Sequence, residues 1–139
     1  MILIAQELTA ALKAAIPEVS IGEPEEALEG NLTLLVEDFP TNEGTYLNAQ
    51  PYLVQNAVTI TARAKKSGGA ANLLQAKQAA LQLLLQADEV LNQQFLLTME
   101  KQAECMAAAD GESYLCRAHY TACVNSKTKE FSRRILKNG

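Results

Sequence analysis

The sequence predicts an α+β domain: an N-terminal helix and a mostly antiparallel sheet of about four to five strands, with one long helix packed on one face. The main observation is that the hydrophobic period changes from two to about 3.6 and back to two between residues 52 and 125. A Gly-Gly pair at 68–69 marks the first change. Because an alternating strand and an amphipathic helix each have one apolar face, we expect those faces to be buried together.

The first half of the chain predicts a helix, two strands and a long loop. Residues 2–16 form an amphipathic pattern that ends at Pro17. Its expected buried face consists of Ile4, Leu8, Leu12 and Ile16. A short strand is predicted at 18–21, an acidic loop or single helical turn at 22–30, and a strand at 31–39. The segment 40–51 is bracketed by prolines and has no clear period, which indicates a long exposed loop or a hairpin arm that is too polar for the core.

The second half predicts a strand, the long helix and a terminal hairpin. The strand at 53–64 loses its alternation near Asn56–Ala57, which indicates either a bulge or a strand emerging from the preceding loop. The helix spans about 70–91, and either Ser67 or Asn72 would cap it. Its expected apolar stripe is Leu74, Ala76, Ala80, Leu81, Leu84, Leu85 and Ala87, opposite Gln75, Lys77, Gln78 and Gln82. Strands at 94–104 and 113–125 should pair across Asp110-Gly111.

The charge distribution suggests one domain at 1–126 followed by a basic extension at 127–139. The extension holds five basic residues and one acidic residue, a net of +4, whereas the whole chain has a net charge of −4. Residues 1–126 therefore have a net charge of −8. An acidic body argues against a general nucleic-acid binder, which needs a basic face, but it permits attraction between the extension of one copy and the body of another.

The cysteine count and hydropathy predict a soluble chain with reduced thiols. Cys105, Cys116 and Cys123 are odd in number and lack the spacing of a disulfide framework or a zinc ribbon. Neither a basic signal-peptide region nor a run of about 18–20 apolar residues is present. We therefore expect no membrane partner.

Residue patterns that carry chemistry are weak, and we predict no catalytic, cofactor or metal site. His119 shares a predicted strand face with Arg117 and Cys123, but strand neighbours two apart are separated by about 6.6 Å, which is too far for a catalytic dyad. The cysteines and His119 also lack the spacing of a zinc site. The lysines of Lys65-Lys66-Ser67-Gly68-Gly69 precede the glycines, unlike those of a phosphate-binding loop.

An acidic cluster falls in the 22–30 segment. Its members are Glu23, Glu25, Glu26 and Glu29. Clustered carboxylates suit calcium, but the regular oxygen spacing of a calcium loop is absent, so a solvated loop is the default interpretation. A sharper interpretation is an acidic wall that repels a polyanion such as DNA.

The order of elements resembles the tail terminator (tail completion) proteins of long-tailed bacteriophages and their prophage relatives. The resemblance rests on LTAALKAAIPEV at the first helix, the long loop feeding YLVQNAVTITARAK, the helix beginning at SGGAANLL, and the last strand ESYLCRAHYTACV. It covers nearly the full chain, through diffuse patterns without an invariant motif. Neck proteins on the head side of the same joint have similar lengths and folds.

The resemblance implies a structural virion protein without cofactors, located at the neck and assembled in the host cytoplasm. Members of the family form a ring, usually hexameric, that caps the tail tube, stops its polymerisation and faces the head connector, while DNA passes through the lumen. Expected contact residues are Asn42, Glu43, Tyr46, Asn48, Lys65, Lys66, Arg133 and Arg134. Expected lumen-facing residues are Glu23, Glu25, Glu26 and Glu29. The alternatives are a head-side neck protein, a small cytoplasmic binding module, and an enzyme that uses His119 and Cys123.

Overall fold

A computed structural model shows an α+β fold with two helices and a six-stranded, mostly antiparallel sheet. The structure describes residues 4–24, 28–40, 53–65, 73–95, 97–109, 111–125 and 130–131. The elements in chain order are α1 (Ala5–Ala15), β1 (Ser20–Gly22), β2 (Leu32–Pro40), β3 (Leu53–Lys65), α2 (Leu73–Gln94), β4 (Leu97–Ala107), β5 (Ser113–Asn125) and β6 (Glu130–Phe131). The predicted fold class is confirmed.

The sheet has the strand order β1-β2-β3-β5-β4, and β6 pairs with the end of β5. β1 and β2 are parallel, and every other pair is antiparallel. α2 connects β3 to β4 across the intervening β5. It packs against β5, β3, β4 and β2, whereas α1 packs against β1, β2 and α2. Both helices therefore lie on the same face of the sheet, which we call the covered face.

The covered face carries the hydrophobic core. Alternate residues of the three central strands point into it, as the period of two predicts. The fully buried members are Leu34 and Val36 of β2, Val58, Ile60, Ala62 and Ala64 of β3, and Cys116, Ala118, Tyr120 and Ala122 of β5. α1 contributes the predicted stripe of Ile4, Leu8, Leu12 and Ile16. The many alanines bring the helices close to the sheet.

The start of α1 is held by a carboxylate from β2 because the helix has no side-chain cap of its own. The backbone N–H of Ile4 donates to Asp38 Oδ2. The other oxygen of Asp38 accepts a hydrogen bond of 2.9 Å from Asn56 Nδ2. A carboxylate at a helix N-terminus satisfies a backbone donor and faces the positive end of the helix dipole.

Of the two interpretations of the lost alternation at Asn56–Ala57, the bulge is wrong, and the hydrogen bond from Asn56 to Asp38 explains why. β3 keeps an unbroken register with both β2 and β5 through these residues. Asn56 lies on the covered face and is 1 % exposed. A buried polar residue is stable there because Asp38 accepts from it, so the loss of hydrophobic alternation does not reflect a bulge.

The bulges lie in β4 instead, and they bring two cysteines together. The register of β4 against β5 shifts between Met99 and Lys101 and again between Lys101 and Glu104. As a result Cys105 lies directly opposite Cys116, and the two form a disulfide. The prediction that these cysteines are reduced is therefore wrong. Their pairing depends on two one-residue shifts that the sequence pattern does not reveal.

The buried stripe of α2 is also partly different from the predicted one. The alanines 76, 80 and 87 and Leu84 are buried, together with Leu83 and Leu91, which were not predicted. Leu74 and Leu85 are 63 % and 57 % exposed, and Leu81 is half-buried. These three leucines follow one another at seven and four residues on a separate strip of the helix surface. The predicted polar face of α2 is exposed as expected.

The terminal strands confirm the predicted hairpin but move one boundary. α2 continues through Gln94, so β4 begins at Leu97 rather than at residue 94. At the turn, Gly111 adopts a φ of +70°, and its N–H donates to the carbonyl of Ala108. β6 was not predicted, and it lies within the predicted extension 127–139. Within the described ranges, no helix is long and apolar enough to cross a bilayer.

Candidate interaction surface

The second face of the sheet, which we call the open face, carries hydroxyl, basic, acidic and apolar side chains. Neither helix packs on it, since both lie on the covered face. It consists of Thr33, Leu35, Glu37 and Phe39 of β2, Thr59, Thr61 and Arg63 of β3, Leu115, Arg117, His119 and Thr121 of β5, and Glu104 and Met106 of β4. Thr33 and Thr61 are nevertheless only 6 % and 5 % exposed, because longer neighbours cover them.

Cross-strand hydrogen bonds fix the polar side chains of the open face. Arg117 Nε donates to Thr61 Oγ1 at 3.2 Å, and Arg63 Nε donates to Ser113 Oγ at 3.0 Å. His119 Nδ1 and Thr59 Oγ1 lie 3.2 Å apart. These contacts join β3 to β5, the two longest strands. The polar groups of the open face are therefore held in place by the sheet itself.

A concave pocket of about 290 Å³ opens on this face between the two arginines. Its lining comprises Leu28, Thr33, Leu35, Thr61, Arg63, Leu115 and Arg117. Arg63 lies opposite Leu115, and Arg117 lies two residues further along the same strand, so the arginines are diagonal neighbours. Two guanidinium groups thus flank a floor of buried threonines and leucine walls.

Among the described residues, large apolar side chains are exposed on the open face, on α2, and at Met99 of β4, which is 43 % exposed. On the open face, Phe39 is 50 % and Met106 is 45 % exposed. On the outer surface of α2, Leu74 and Leu85 lie eleven residues apart with the half-buried Leu81 between them. We call these three residues the leucine ridge. Because the ridge and the open face are different surfaces, one copy presents both at once.

The predicted acidic cluster is placed only in part. Glu23 is half-buried and Glu29 is exposed, whereas Glu25 and Glu26 lie outside the described residues. Glu23 contributes to a groove of about 180 Å³ that is also lined by Ala5, Pro24, Val36, Glu37, Asp38 and Phe39. The groove follows the part of β2 beyond its pairing with β1. The sequence did not associate Glu23 with Glu37 or Asp38, which also line the groove.

Most predicted contact residues fall where the structure gives no description. Lys65 is the exposed last residue of β3, and its N–H donates to the carbonyl of Asn31 at 2.9 Å. Outside the described residues lie Asn42, Glu43, Tyr46, Asn48, Lys66, Arg133 and Arg134. The capping candidates Ser67 and Asn72 lie there as well. The structure places Arg63 and Arg117, which were not predicted as contact residues, as diagonal neighbours, with Glu104 directly opposite Arg117.

The structure does not support a catalytic pair of His119 and Cys123 or a zinc site made from His119 and the cysteines. His119 is opposite Thr59, whereas Cys123 is opposite Gln55, four residues further along β5. Two of the three cysteine sulfur atoms are joined in the disulfide and cannot bind zinc as thiolates. Across the described part of the chain, no three His, Cys, Asp or Glu residues form a cluster suited to a metal ion.

Buried polar chemistry is instead found between α2 and β5. Tyr120 Oη donates a 2.8 Å hydrogen bond to Asp88 Oδ1, and Asn92 Nδ2 donates to the same oxygen at 3.0 Å. Burial raises the pKa of Tyr120, and the hydrogen bond to Asp88 and the charge of that carboxylate raise it further. A neutral tyrosine that donates to a carboxylate is a fixed link between helix and sheet, not a reactive group.

Comparison with known proteins adds no assignment. No protein-family model matches the chain, and no curated protein is significantly similar to it. The fold and the surface define an α+β domain with a sheet that is covered on one face and open on the other. Its functional interpretation must therefore come from these two faces.

Proposed function

We propose that this protein is a structural subunit of a ring that caps a bacteriophage tail tube, ends its polymerisation and joins the tail to the head connector. The proposal assigns it no catalytic activity and no cofactor. Its partners are further copies of itself, the tail tube protein and a connector protein, and it resides at the neck of the virion. The resemblance in element order and the two exposed surfaces described above support it.

The observation that carries the proposal is the pairing of an open sheet face with an exposed leucine ridge on one molecule. A ring requires a heterologous contact, in which one surface of a copy meets a different surface of the next copy. Here the leucine ridge of one copy is suited to cover the open face of its neighbour, because apolar helix surfaces pack readily on sheets. The neighbour would thereby supply a layer over the face on which neither of the two described helices packs.

The size of the open face is adequate for such a contact. Four strands spaced about 4.8 Å apart and about eleven residues long span roughly 19 by 36 Å, an area on the order of 700 Å². Stable interfaces bury about 800 Å² per partner. Burying the exposed leucines, at about 25 cal/mol per Å² of apolar surface, would supply part of the association free energy.

Two further features agree with a virion component. The acidic body, with a net charge of −8 over residues 1–126, would not hold DNA that passes through a lumen, because DNA binding requires basic groups. The disulfide is also compatible with this setting. Disulfides are rare in cytosolic proteins but persist on virion surfaces, which meet an oxidising medium after release.

The first test is the oligomeric state of the purified chain, measured by native mass spectrometry and negative-stain microscopy. We expect a closed ring near six copies for the wild type. Leu74→Gln together with Leu85→Gln should reduce it to monomers while leaving the circular dichroism and melting temperature nearly unchanged, since both side chains are exposed. The matched control is Gln75→Ala with Gln78→Ala on the polar face of α2, which should assemble normally.

The second test concerns the predicted contact loop and the assignment to the tail. Deleting Asn42–Asn48 should spare folding but abolish ring formation or tail completion, and normal completion after the deletion would count against the loop's role. Location of the gene between head-joining and tail-tube genes would support the phage assignment. Binding to the head connector without any effect on tube length would favour a neck protein instead. A wild-type chain that remains monomeric at micromolar concentration would refute the ring.

A further inference from the structure

The strand β2 is paired along only part of its outer edge. β1 pairs with residues 33–35 of β2, whereas β3 pairs with β2 on the other side as far as Pro40. Among the strands that the structure describes, only β3 therefore pairs with residues 36–40. The chain that leaves β1 reaches Pro24, which has no N–H with which to extend the pairing. The outward N–H and C=O groups of such an edge can bind another extended chain.

The groove of about 180 Å³ runs along this edge of β2, and we call it the edge groove. Four consecutive residues of the strand, 36–39, all line it. Because consecutive strand residues project to opposite faces, a groove that touches all four lies beside the backbone. Its described lining combines the acidic residues Glu23, Glu37 and Asp38 with apolar side chains and includes no lysine or arginine. An extended segment with basic and apolar side chains would match it.

The C-terminal extension has this composition. Residues 132–137 read Ser-Arg-Arg-Ile-Leu-Lys, in which three basic residues surround two aliphatic ones. In an extended segment Arg133 and Arg134 would project to opposite faces, as Glu37 and Asp38 do in β2. Arginine is also the side chain best suited to bidentate hydrogen bonds with a carboxylate. The segment therefore matches the edge groove in both charge and hydrophobicity.

The position of β6 shows on which side of the sheet the extension begins. Val124 and Asn125 pair with β3 on one side and with β6 on the other. β5 and β3 thus lie between β6 and β2, which places β6 about 14 Å from β2 at about 4.8 Å per strand spacing. The edge groove is on the outer side of β2. Copies placed side by side in a ring would therefore bring the extension of one copy to the edge groove of the next.

We infer that the edge groove is the docking site for residues 132–137 of a second copy of this chain, which adds to the sheet as a short strand beside residues 36–40 of β2. The choice of a second copy rests on the proposed ring function. Asp38 already accepts hydrogen bonds from Ile4 and Asn56, so Glu37 makes the main charge contact with the added segment. Backbone hydrogen bonds give the contact its direction, and the basic side chains give it its preference for this edge.

Photo-cross-linking in the full chain tests the site. A photoreactive p-benzoylphenylalanine replaces Phe39, which lines the edge groove and is 50 % exposed. Isotope-labelled and unlabelled chains are unfolded together and refolded as a mixture, so that mass spectrometry distinguishes cross-links between copies from those within one copy. We expect cross-links to residues 132–137 of another copy.

The matched control carries the same photoreactive residue at Met106. This side chain is 45 % exposed and also lies on the open face, but β5 and β3 separate its strand from β2. It should give no cross-links to residues 132–137 of another copy.

Proline substitutions test whether the extension binds as a strand. Alternate N–H groups of a strand donate to the same neighbour, so either Ile135→Pro or Leu136→Pro should remove a hydrogen bond to β2. We expect one of the two variants to weaken self-association by about tenfold or more in analytical ultracentrifugation. Ile135→Ala and Leu136→Ala are the controls, because they shorten the same side chains but keep the N–H, and they should weaken it less.

The outcomes separate this inference from the ring itself. If the wild type forms a ring but the probe at position 39 gives no cross-links to the extension, or gives them only within one copy, the inference is overturned and the ring remains. Two proline variants that both assemble as well as their alanine controls overturn the addition of a strand. A monomeric wild type overturns both the ring and the inference.

Discussion

At the scale of single residues, the side chain of Asp38 joins three elements of the fold. Its carboxylate accepts one hydrogen bond from the backbone N–H of Ile4, at the start of α1, and another from the buried side chain of Asn56 in β3. Asp38 itself belongs to β2, so it links a helix and two strands. Its neighbour Glu37 points to the opposite face of the sheet, as alternation requires. The two acidic residues are therefore adjacent in sequence but should differ greatly in their contribution to stability.

Replacement of Asp38 by alanine is expected to lower the free energy of unfolding by about 2–3 kcal/mol. The loss combines the helix cap, worth about 1 kcal/mol, with the cost of leaving the amide of Asn56 without this acceptor. Urea denaturation would measure it, and hydrogen exchange should show faster opening of the first turn of α1. Glu37→Ala is the control, with an expected change within about 0.5 kcal/mol. Equal effects of the two substitutions would contradict the assigned role.

Tyr120 gives the stability of the protein a defined dependence on alkaline pH. Its pKa is raised in the folded state by burial and by Asp88, whereas in the unfolded chain it returns to about 10. Below pH 10 both states are protonated and the stabilisation is fully present. Above pH 10 the unfolded state loses the proton first, so stability should fall by about 1.4 kcal/mol per pH unit.

Tyr120→Phe should remove this pH-dependent contribution to stability. The difference in the free energy of unfolding between the wild type and the variant should therefore become smaller as pH rises above 10. Below pH 10 the variant should be less stable by about 1–2 kcal/mol because it lacks the hydrogen bond to Asp88. Urea denaturation at intervals between pH 8 and pH 11 would follow both proteins. A difference that stays constant across this range would show that the tyrosine does not retain its proton in the folded state.

At the scale of elements, the disulfide links the edge strand β4 to the central strand β5. Reduction of the disulfide, or Cys105→Ser, is expected to lower the free energy of unfolding by about 2–3 kcal/mol. The disulfide joins residues separated by 11 positions, and without it the unfolded chain gains conformational entropy. Thiol titration of the unreduced, denatured protein should find one free thiol, that of Cys123. Cys123→Ser provides the control. Three titratable thiols before reduction would contradict the pairing.

The elements also show where sequence patterns are informative. Regular alternation and the stripe of Ile4, Leu8 and Leu12 placed α1, β2, β3 and β5 correctly, because burial on one face imposes a strict period. The pairing of Cys105 with Cys116 was inaccessible, because it depends on two bulges whose positions leave no hydrophobic signal. A bulge at Asn56 was considered for a related reason. The residue that makes a buried asparagine stable there, Asp38, lies 18 positions earlier in the sequence.

The candidate surface was harder to predict than the fold. Polar residues at alternate positions indicate an outward face, but they do not show that Arg63 and Arg117 become diagonal neighbours. That relation follows from the register of β3 against β5, which only the assembled sheet defines. Likewise, Leu74 and Leu85 fit a broad apolar stripe in sequence. Their exposure depends on how α2 is rotated against the sheet.

At the scale of the whole molecule, the opposed charges of the body and the basic extension should make assembly sensitive to salt. Arg133→Gln with Arg134→Gln is expected to weaken formation of the proposed ring at low ionic strength. The deficit should shrink at high salt, because salt already screens the same attraction in the intact chain. The oligomeric state would be measured by sedimentation at about 0.05 M and 0.5 M salt. The double variant Lys13→Gln, Lys77→Gln is the charge-matched control. If the Arg133→Gln, Arg134→Gln variant assembles as well as the wild type at both salt concentrations, the extension does not have this role.

The uneven edges of the sheet have a consequence for how copies avoid unwanted growth. β1 pairs with β2 over three residues, and β4 is interrupted by two shifts of register. A foreign strand that docked on either side would meet a change of direction or spacing after a few residues, which disfavours amyloid-like stacking. At high concentration, contacts between the broad surfaces of the molecule are therefore favoured over fibril growth at the edges of its sheet.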